Sequence, residues 1–358
     1  MIRRLPHDAG CRCFKPSHGP HPSRTRHATI PTRQGAMHDA DKPGFLFSVA
    51  PGQRRTMIAL AQELDRRGFP FLYCPHGAGG AIEPGQQRIA RPYRIPAPYD
   101  ALGQAFALIQ TTERMTIGSG VAITYTRHPT EMAATANLIH ELGNGRFILG
   151  LGVGHGPILQ QFGYVPEAPI AHLRRYVEVL RAAASDRPLP AIVFAALRKR
   201  MTALAGELAD GVLFANAARS HIPISLREIP AATRANFRIG NFAPCYVAED
   251  RSEALTAVRR ALTNYMTLPN YQRYFIEAGY ADAVAQGRAA IEADDQPQLE
   301  ASISERMAAD ICVFGTPAEI RAQVAAFREA GVNQVGLSTL FHTQDQAKAI
   351  ARVAAAFD

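Results

Sequence analysis

Residues 115–157 read MTIGSGVAITYTRHPTEMAATANLIHELGNGRFILGLGVGHGP, and they decide the fold. Ile117 to Val121 is a short run of small and apolar residues, as expected of a strand buried on both faces. Thr126-Arg127-His128-Pro129 ends it and opens a helix, with proline at an allowed first-turn position. Ala133, Ala136, Leu138, Ile139 and Leu142 give that helix an apolar face. Gly143-Asn144-Gly145 stops it, because these residues accept the left-handed backbone of a helix C-terminus. Arg146 to Leu151 then reads as the next strand. Gly150, Gly152, Gly154 and Gly156 follow, and without side chains they let the backbone approach something flat or anionic.

The same alternation extends in both directions. Strands are predicted at Phe45–Val49, Phe71–Cys74, Ala191–Ala196, Gly211–Ala215, Ala243–Ala248 and Val335–Thr339, with helical segments between them. Eight short apolar strands alternating with helices point to an α/β fold, a (β/α)8 TIM barrel. A doubly wound open sheet is the competing arrangement. Two connections are too long for ordinary loops. Pro75–Ala97 follows strand two and is rich in glycine and proline, and Tyr265–Glu319 follows the strand-seven unit and reads as mostly helical. Such insertions on a barrel usually cover the active-site mouth.

The 358 residues carry a net charge of +8. Residues 1–36 hold Arg3, Arg4, Arg12, Lys15, Arg24, Arg26 and Arg33 against Asp8 alone, so the body is nearly neutral. That balance argues against nucleic-acid binding. Residues 1–43 read as a disordered basic leader, either the result of a start upstream of Met37 or, as the second alternative, an organelle transit peptide, and 44–358 read as the barrel domain. No apolar run is long enough for a membrane span. Cys11, Cys13, Cys74, Cys245 and Cys312 are an odd, dispersed set, which fits a reducing, cytoplasmic compartment. Cys11-x-Cys13 lacks the spacing of a zinc site, and no metal is expected.

Barrel active sites lie at the C-terminal ends of the strands. Here those ends carry Cys74-Pro75-His76, Ser119-Gly120-Val121-Ala122, Gly152-Val153-Gly154-His155 and Ala196-Leu197-Arg198-Lys199-Arg200. No facing pair of carboxylates suggests a glycosidase, and no Gly-x-Ser-x-Gly elbow suggests an esterase. A floor of small residues with a basic rim suits a planar cofactor bearing phosphate, which would supply the redox chemistry. His76 and His155, expected at neighbouring strand ends, are the candidate catalytic groups. Arg198, Lys199 and Arg200 open a helix, where cations oppose the dipole unless they meet an anion.

The stretch from Gly118 to Pro129, Gly145-Arg146-Phe147 through Gly154, Phe194 to Leu197 with Leu204 to Gly211, and Val313 to Ile320 with Glu329 to Asn333 together resemble the bacterial luciferase-like monooxygenase family. The resemblance implies a barrel that binds FMN or, alternatively, the deazaflavin coenzyme F420 at the strand ends. It implies a bulge with a non-prolyl cis peptide at Ser119-Gly120, supporting the middle ring of the cofactor, with Val121 and Ala122 alongside. The ribityl chain and phosphate would pass Val153 and Gly154, then Ala196, Leu197, Arg198 and Lys199. By the same resemblance His76 and His155 occupy the positions of catalytic groups, His155 as a general acid. Pro75-His76 departs from the Asp-His pair common in relatives, and Arg198-Lys199 departs from Gly-Pro. The implied activity is oxygenation of, or hydride exchange with, a small organic substrate. Reduced flavin would come from a separate reductase, and a homodimer is expected. A flavin-binding partner subunit without catalysis and, outside the resemblance, an unrelated phosphate-binding barrel such as a lyase or isomerase are the remaining alternatives.

Overall fold

The computed structural model describes residues 41–47, 54–76, 100–161, 163–185, 187–339 and 346–358. Residues 1–40 of the basic leader, Ser48 to Pro51 and the insertion from Gly77 to Ala97 lie outside them. All the strands are parallel: β1 (Gly44–Leu46), β2 (Phe71–Cys74), β3 (Thr116–Ser119), β4 (Ala122–Ile123), β5 (Phe147–Gly152), β6 (Ala191–Ala195), β7 (Gly211–Ala215), β8 (Arg238–Val247), β9 (Val313–Gly315) and β10 (Gln334–Ser338). The hydrogen-bonded order runs β10-β1-β2-β3-β5-β6-β7-β8, and β8 returns to β10 with Gln334 opposite Gly240 and Ser338 opposite Pro244. β4 continues the line of β3 against β5. The sheet is thus a closed barrel of eight staves with helices outside, as the alternation predicts.

The stave expected over Ile117–Val121 is broken into β3 and β4, and two further strands differ from expectation. β8 begins at Arg238 rather than Ala243. Its first half carries Arg238 and Asn241, so it lacks the apolar signature of a buried strand. Yet Asn241 is fully buried and accepts the backbone N–H of Ala217 at 3.3 Å. β9 is unexpected and extends the upper half of β8, with Cys245 opposite Val313. The long insertion before it is helical, as read: Pro269–Glu277, Ala281–Ala293, Gln296–Ser302 and Glu305–Ile311.

Inward and outward residues alternate along each stave. Leu46, Phe71, Tyr73, Ile148, Val193, Leu213 and Phe242 pack with Val121 to fill the barrel interior. Leu72, Cys74, Ile192, Phe194, Val212 and Phe214 point outward into a second, larger core beneath the helices. Tyr73 is large enough to demand a gap opposite: a Cβ on Gly118 would lie 2.4 Å from its ring.

The loop-to-helix signals also hold. His128 caps the helix Pro129–Leu142 by accepting the Thr130 N–H through Nδ1 at 3.3 Å, with Pro129 in the first turn. Asn144 (φ 48°) and Gly145 (φ 84°) turn the chain after it. Asp100 caps the helix Ala101–Ile109, accepting N–H bonds from Leu102 and Gly103 at 3.2 and 3.0 Å.

Candidate active site at the barrel mouth

The break between β3 and β4 shapes the mouth. Gly118 pairs with Ile148 and Ala122 with Leu151, so three residues on one strand face two on the other. This is a β-bulge. The Ser119 hydroxyl closes the gap: it donates to the Gly150 carbonyl and accepts the Gly150 N–H, both at 2.9 Å. Ser119 is fully buried, and its side chain is committed to the sheet rather than to the mouth. Gly120 donates its backbone N–H to the Cys74 carbonyl at 2.8 Å. The non-prolyl cis peptide joins Gly120 to Val121, one bond beyond the Ser119-Gly120 position that the resemblance implies.

Above the interior layer the wall is lined by small residues that remain partly open: Gly120 and Val121, then Ala195, Ala215 and Ser338. Gly152 sits between Val121 and Ala195, and a Cβ there would lie 2.5 Å from Val121 Cγ2. One pleat deeper, Tyr73, Phe242, Leu213 and Val193 close the barrel. The result is a shallow bowl with an apolar base, a shape that fits a flat ring system. Val153 and Gly154 continue from β5 along its edge, both half-buried, and Gly154 has φ 68°. Ala122 is buried behind the bulge. Ala196 is also buried, bonding through its N–H to the Leu213 carbonyl, and Leu197 is half-buried.

The basic rim is only partly as expected. Arg198 is held by Glu277 at 2.5 Å, at the end of the insertion helix Pro269–Glu277. Its guanidinium already has an anion, which comes from the protein. Lys199 and Arg200 are exposed beside it at the start of the helix Lys199–Leu208. A phosphate there would meet the exposed cations and helix N–H groups before it met Arg198.

The two histidines are not on adjacent staves, because the broken stave β3–β4 stands between β2 and β5. His76 leaves β2 with its side chain 15% exposed, and Nδ1 lies 3.9 Å from Asp100 Oδ1. Desolvation holds its pKa below the ordinary histidine value, with Asp100 pulling upward and Arg127 downward. His155 follows β5 and stands over the ring of Tyr271, centroids 5.9 Å apart. Burial pushes its pKa down to about 4. Burial disfavours the charged ring near pH 7, which works against the general-acid role expected of it. As a neutral imidazole it can still accept or donate one hydrogen bond.

Sequence reasoning missed Asp100, Arg127 and Tyr271. Asp100 is legible only as a helix cap. Arg127 sits inside a turn motif, and Tyr271 is one of several tyrosines in a helical insertion. Tyr271 is buried near Asn216, just after β7, which brings the insertion up to the mouth. Tyr274 adds a direct tie, its hydroxyl accepting the Ala218 N–H at 3.0 Å. Among the described residues, no cluster of His, Cys, Asp and Glu is suited to a metal ion. Nor, among them, is any helix long and apolar enough to cross a membrane.

The model of the family described as luciferase-like monooxygenase matches residues 26–334. The chain belongs to this family. It is accordingly a flavin- or deazaflavin-dependent oxidoreductase of the luciferase-like type. Among curated luciferase-like relatives, 5,10-methylenetetrahydromethanopterin reductase of Archaeoglobus fulgidus is 24% identical over 254 residues, covering 63% of this chain and 76% of the relative. The coenzyme F420-dependent tetrahydromethanopterin reductase of Methanopyrus kandleri has a similar structure, with TM-score 0.65 at 18% identity, covering 87% of this chain and 97% of the other. The oxygenating constituent of 3,6-diketocamphane monooxygenase from Pseudomonas putida, in complex with FMN, also shares the fold, with TM-score 0.58 at 14% identity over 87% and 96% of the two chains.

Proposed function

We propose that this luciferase-like barrel is a deazaflavin-dependent oxidoreductase that exchanges a hydride with a small organic substrate. The observation that carries this reading is the half-buried His76 at the end of β2, with a carboxylate on its Nδ1 side. Bound deazaflavin supplies or accepts hydride only, so a proton must move separately when the substrate gains or loses one. A histidine kept neutral by desolvation, with a carboxylate to stabilise its cation, is suited to take that proton. The similarity to enzymes named for methylenetetrahydromethanopterin and for F420 supports the same choice of cofactor over FMN.

The chain's own residues would divide the remaining work. Gly120, Val121, Gly152 and Ala195 would form the wall for the ring system, and Val153, Gly154, Leu197 and Lys199 would follow its tail. Neutral His155 would offer a hydrogen bond rather than a proton. The helices from 269 to 311 would shield the bowl from water.

FMN-dependent oxygenation is the second reading, favoured by the fold shared with the FMN-bound oxygenating constituent. It would require reduced flavin from a separate reductase. Fluorescence titration of the full chain with each cofactor separates the two. The expected result is deazaflavin binding at about micromolar Kd, with FMN at least about tenfold weaker. The reverse order would overturn the deazaflavin reading in favour of oxygenation, and binding of neither by folded protein would overturn both.

A further inference from the structure

The turn that presents His76 is built from outside its own loop. Gln104, buried on the helix Ala101–Ile109, donates through Nε2 to the Pro75 carbonyl at 3.1 Å. Asp100, at the N-terminus of the same helix, brings Oδ1 to 3.9 Å from His76 Nδ1. The carboxylate is itself fixed from two further directions. Its oxygens accept the N–H groups of Leu102 and Gly103, and Oδ2 meets the Arg127 guanidinium at 3.4 Å. Arg127 is anchored in turn by donating to Thr135 Oγ1 at 3.1 Å. At the end of β2, the Cys74 thiol is fully buried and pushed well above the ordinary thiol range, so it brings no charge. Among the described residues, the charged groups that act on His76 are Asp100 and Arg127.

We propose that Asp100 is a positioning residue for His76, holding Nδ1 as the protonated nitrogen and leaving Nε2 as the atom that exchanges a proton, with Arg127 as an opposing counter-charge. This rests on the reading of His76 as the proton-transfer group. The physical basis is general. A carboxylate next to one imidazole nitrogen favours the tautomer with its proton there, and it stabilises the cation formed when the other nitrogen is protonated. A guanidinium on the far oxygen weakens that stabilisation and fixes the carboxylate's orientation.

Substitutions at the two charges should move His76 in opposite directions, which a purely structural role would not produce. Asp100→Asn keeps a good helix cap while removing the charge, and Arg127→Gln removes the counter-charge. The readout is an NMR titration of the imidazole in the unliganded full chain, with the His76 signal assigned by its loss in His76→Gln. The Asp100→Asn midpoint should fall, and the Arg127→Gln midpoint rise, each by about 0.3 to 1 pH unit. Nitrogen shifts should show the Nδ1–H tautomer dominant in the wild type and mixed in Asp100→Asn. Unchanged midpoint and tautomer in Asp100→Asn, or movement of both variants in the same direction, would overturn the proposal. If the shifts appear but His76→Gln transfers hydride at the wild-type rate, Asp100 still positions the ring and the proton-transfer reading of His76 fails instead.

Discussion

At the N-terminal end of the strands, polar side chains stitch backbone to backbone; at the C-terminal end, small residues and two neutral histidines leave a bowl. At the first end, Asp65 accepts N–H bonds from Glu113, Arg114 and Met115 at 2.6 to 3.3 Å. Arg146 donates to the carbonyls of Ile109, Thr112 and Met115. Asp210 accepts the Ile192 N–H at 2.9 Å, and Asn333 accepts from Ile239 and donates to Phe237, both at 2.8 Å. Arg146, Asp210 and Asn333 stand just before a stave, and Asp65, on the helix before β2, holds the residues that lead into β3, where an open backbone end would otherwise need water. The mouth has the opposite economy, because a ligand must be able to displace whatever fills it. Barrels separate stability from chemistry in this way, and here the division can be assigned to named residues.

The contrast is open to direct attack, beginning with the largest effect. Gly150→Val should abolish folding, because a Cβ at Gly150 would lie 2.0 Å from the Ser119 carbonyl oxygen, a backbone atom that cannot rotate away. Loss of the cooperative thermal transition checks it. His76→Gln should leave the melting temperature within a few degrees of wild type and lower hydride transfer by about 10²- to 10⁴-fold. Arg146→Met should do the reverse, costing about 3 kcal/mol of stability while the remaining folded protein keeps its turnover. Equal losses of stability and turnover in both variants would dissolve the distinction between the two ends.

The smaller effects sharpen it. Burial pushes the His155 pKa down to about 4 in the folded protein, below the roughly 6.5 of a solvent-exposed histidine. The unfolded chain therefore takes up this proton first as pH falls. Stability from the neutral ring is intact above pH 6.5 and declines down to about pH 4, by roughly 3 kcal/mol in the limit. Urea unfolding at pH 7 and pH 4.5 should show a smaller difference in His155→Gln than in wild type. Arg198→Gln should change stability by less than about 1 kcal/mol, since its bond to Glu277 is exposed. If it instead weakens cofactor binding more than Lys199→Gln does, then the cofactor displaces Glu277.

The barrel was legible because strand and helix periods alternate, and the glycines after β5 mark a wall without side chains. The stretches that carry the family resemblance contain Arg146, Asp210 and Asn333, so much of what they encode is the stitched end of the fold. The chemistry is written less densely. His76 and His155 are visible as isolated histidines at strand ends. Nothing in their local sequence announces that Asp100 faces one or that Tyr271 covers the other, because both partners arrive through the topology. The lowered pKa of His155 is hidden for the same reason: desolvation is a property of the surroundings, which a residue name does not contain. β8 was read too short because Asn241 looks like a loop residue until its partner, Ala217, is known.

Ser119 has a consequence for how this wall can change over time. Its hydroxyl meets both the N–H and the carbonyl of Gly150, standing in for a neighbouring peptide group. An alteration at position 119 is therefore an edit to the chain's pairing pattern, although the gene records it as a side-chain change. Cysteine keeps a rotor of similar shape but is a much poorer donor and acceptor, and alanine leaves both Gly150 groups without that partner. Serine at 119 and glycine at 150 are in effect one inherited character, and drift at either would be constrained by the other while the rim around them diversifies.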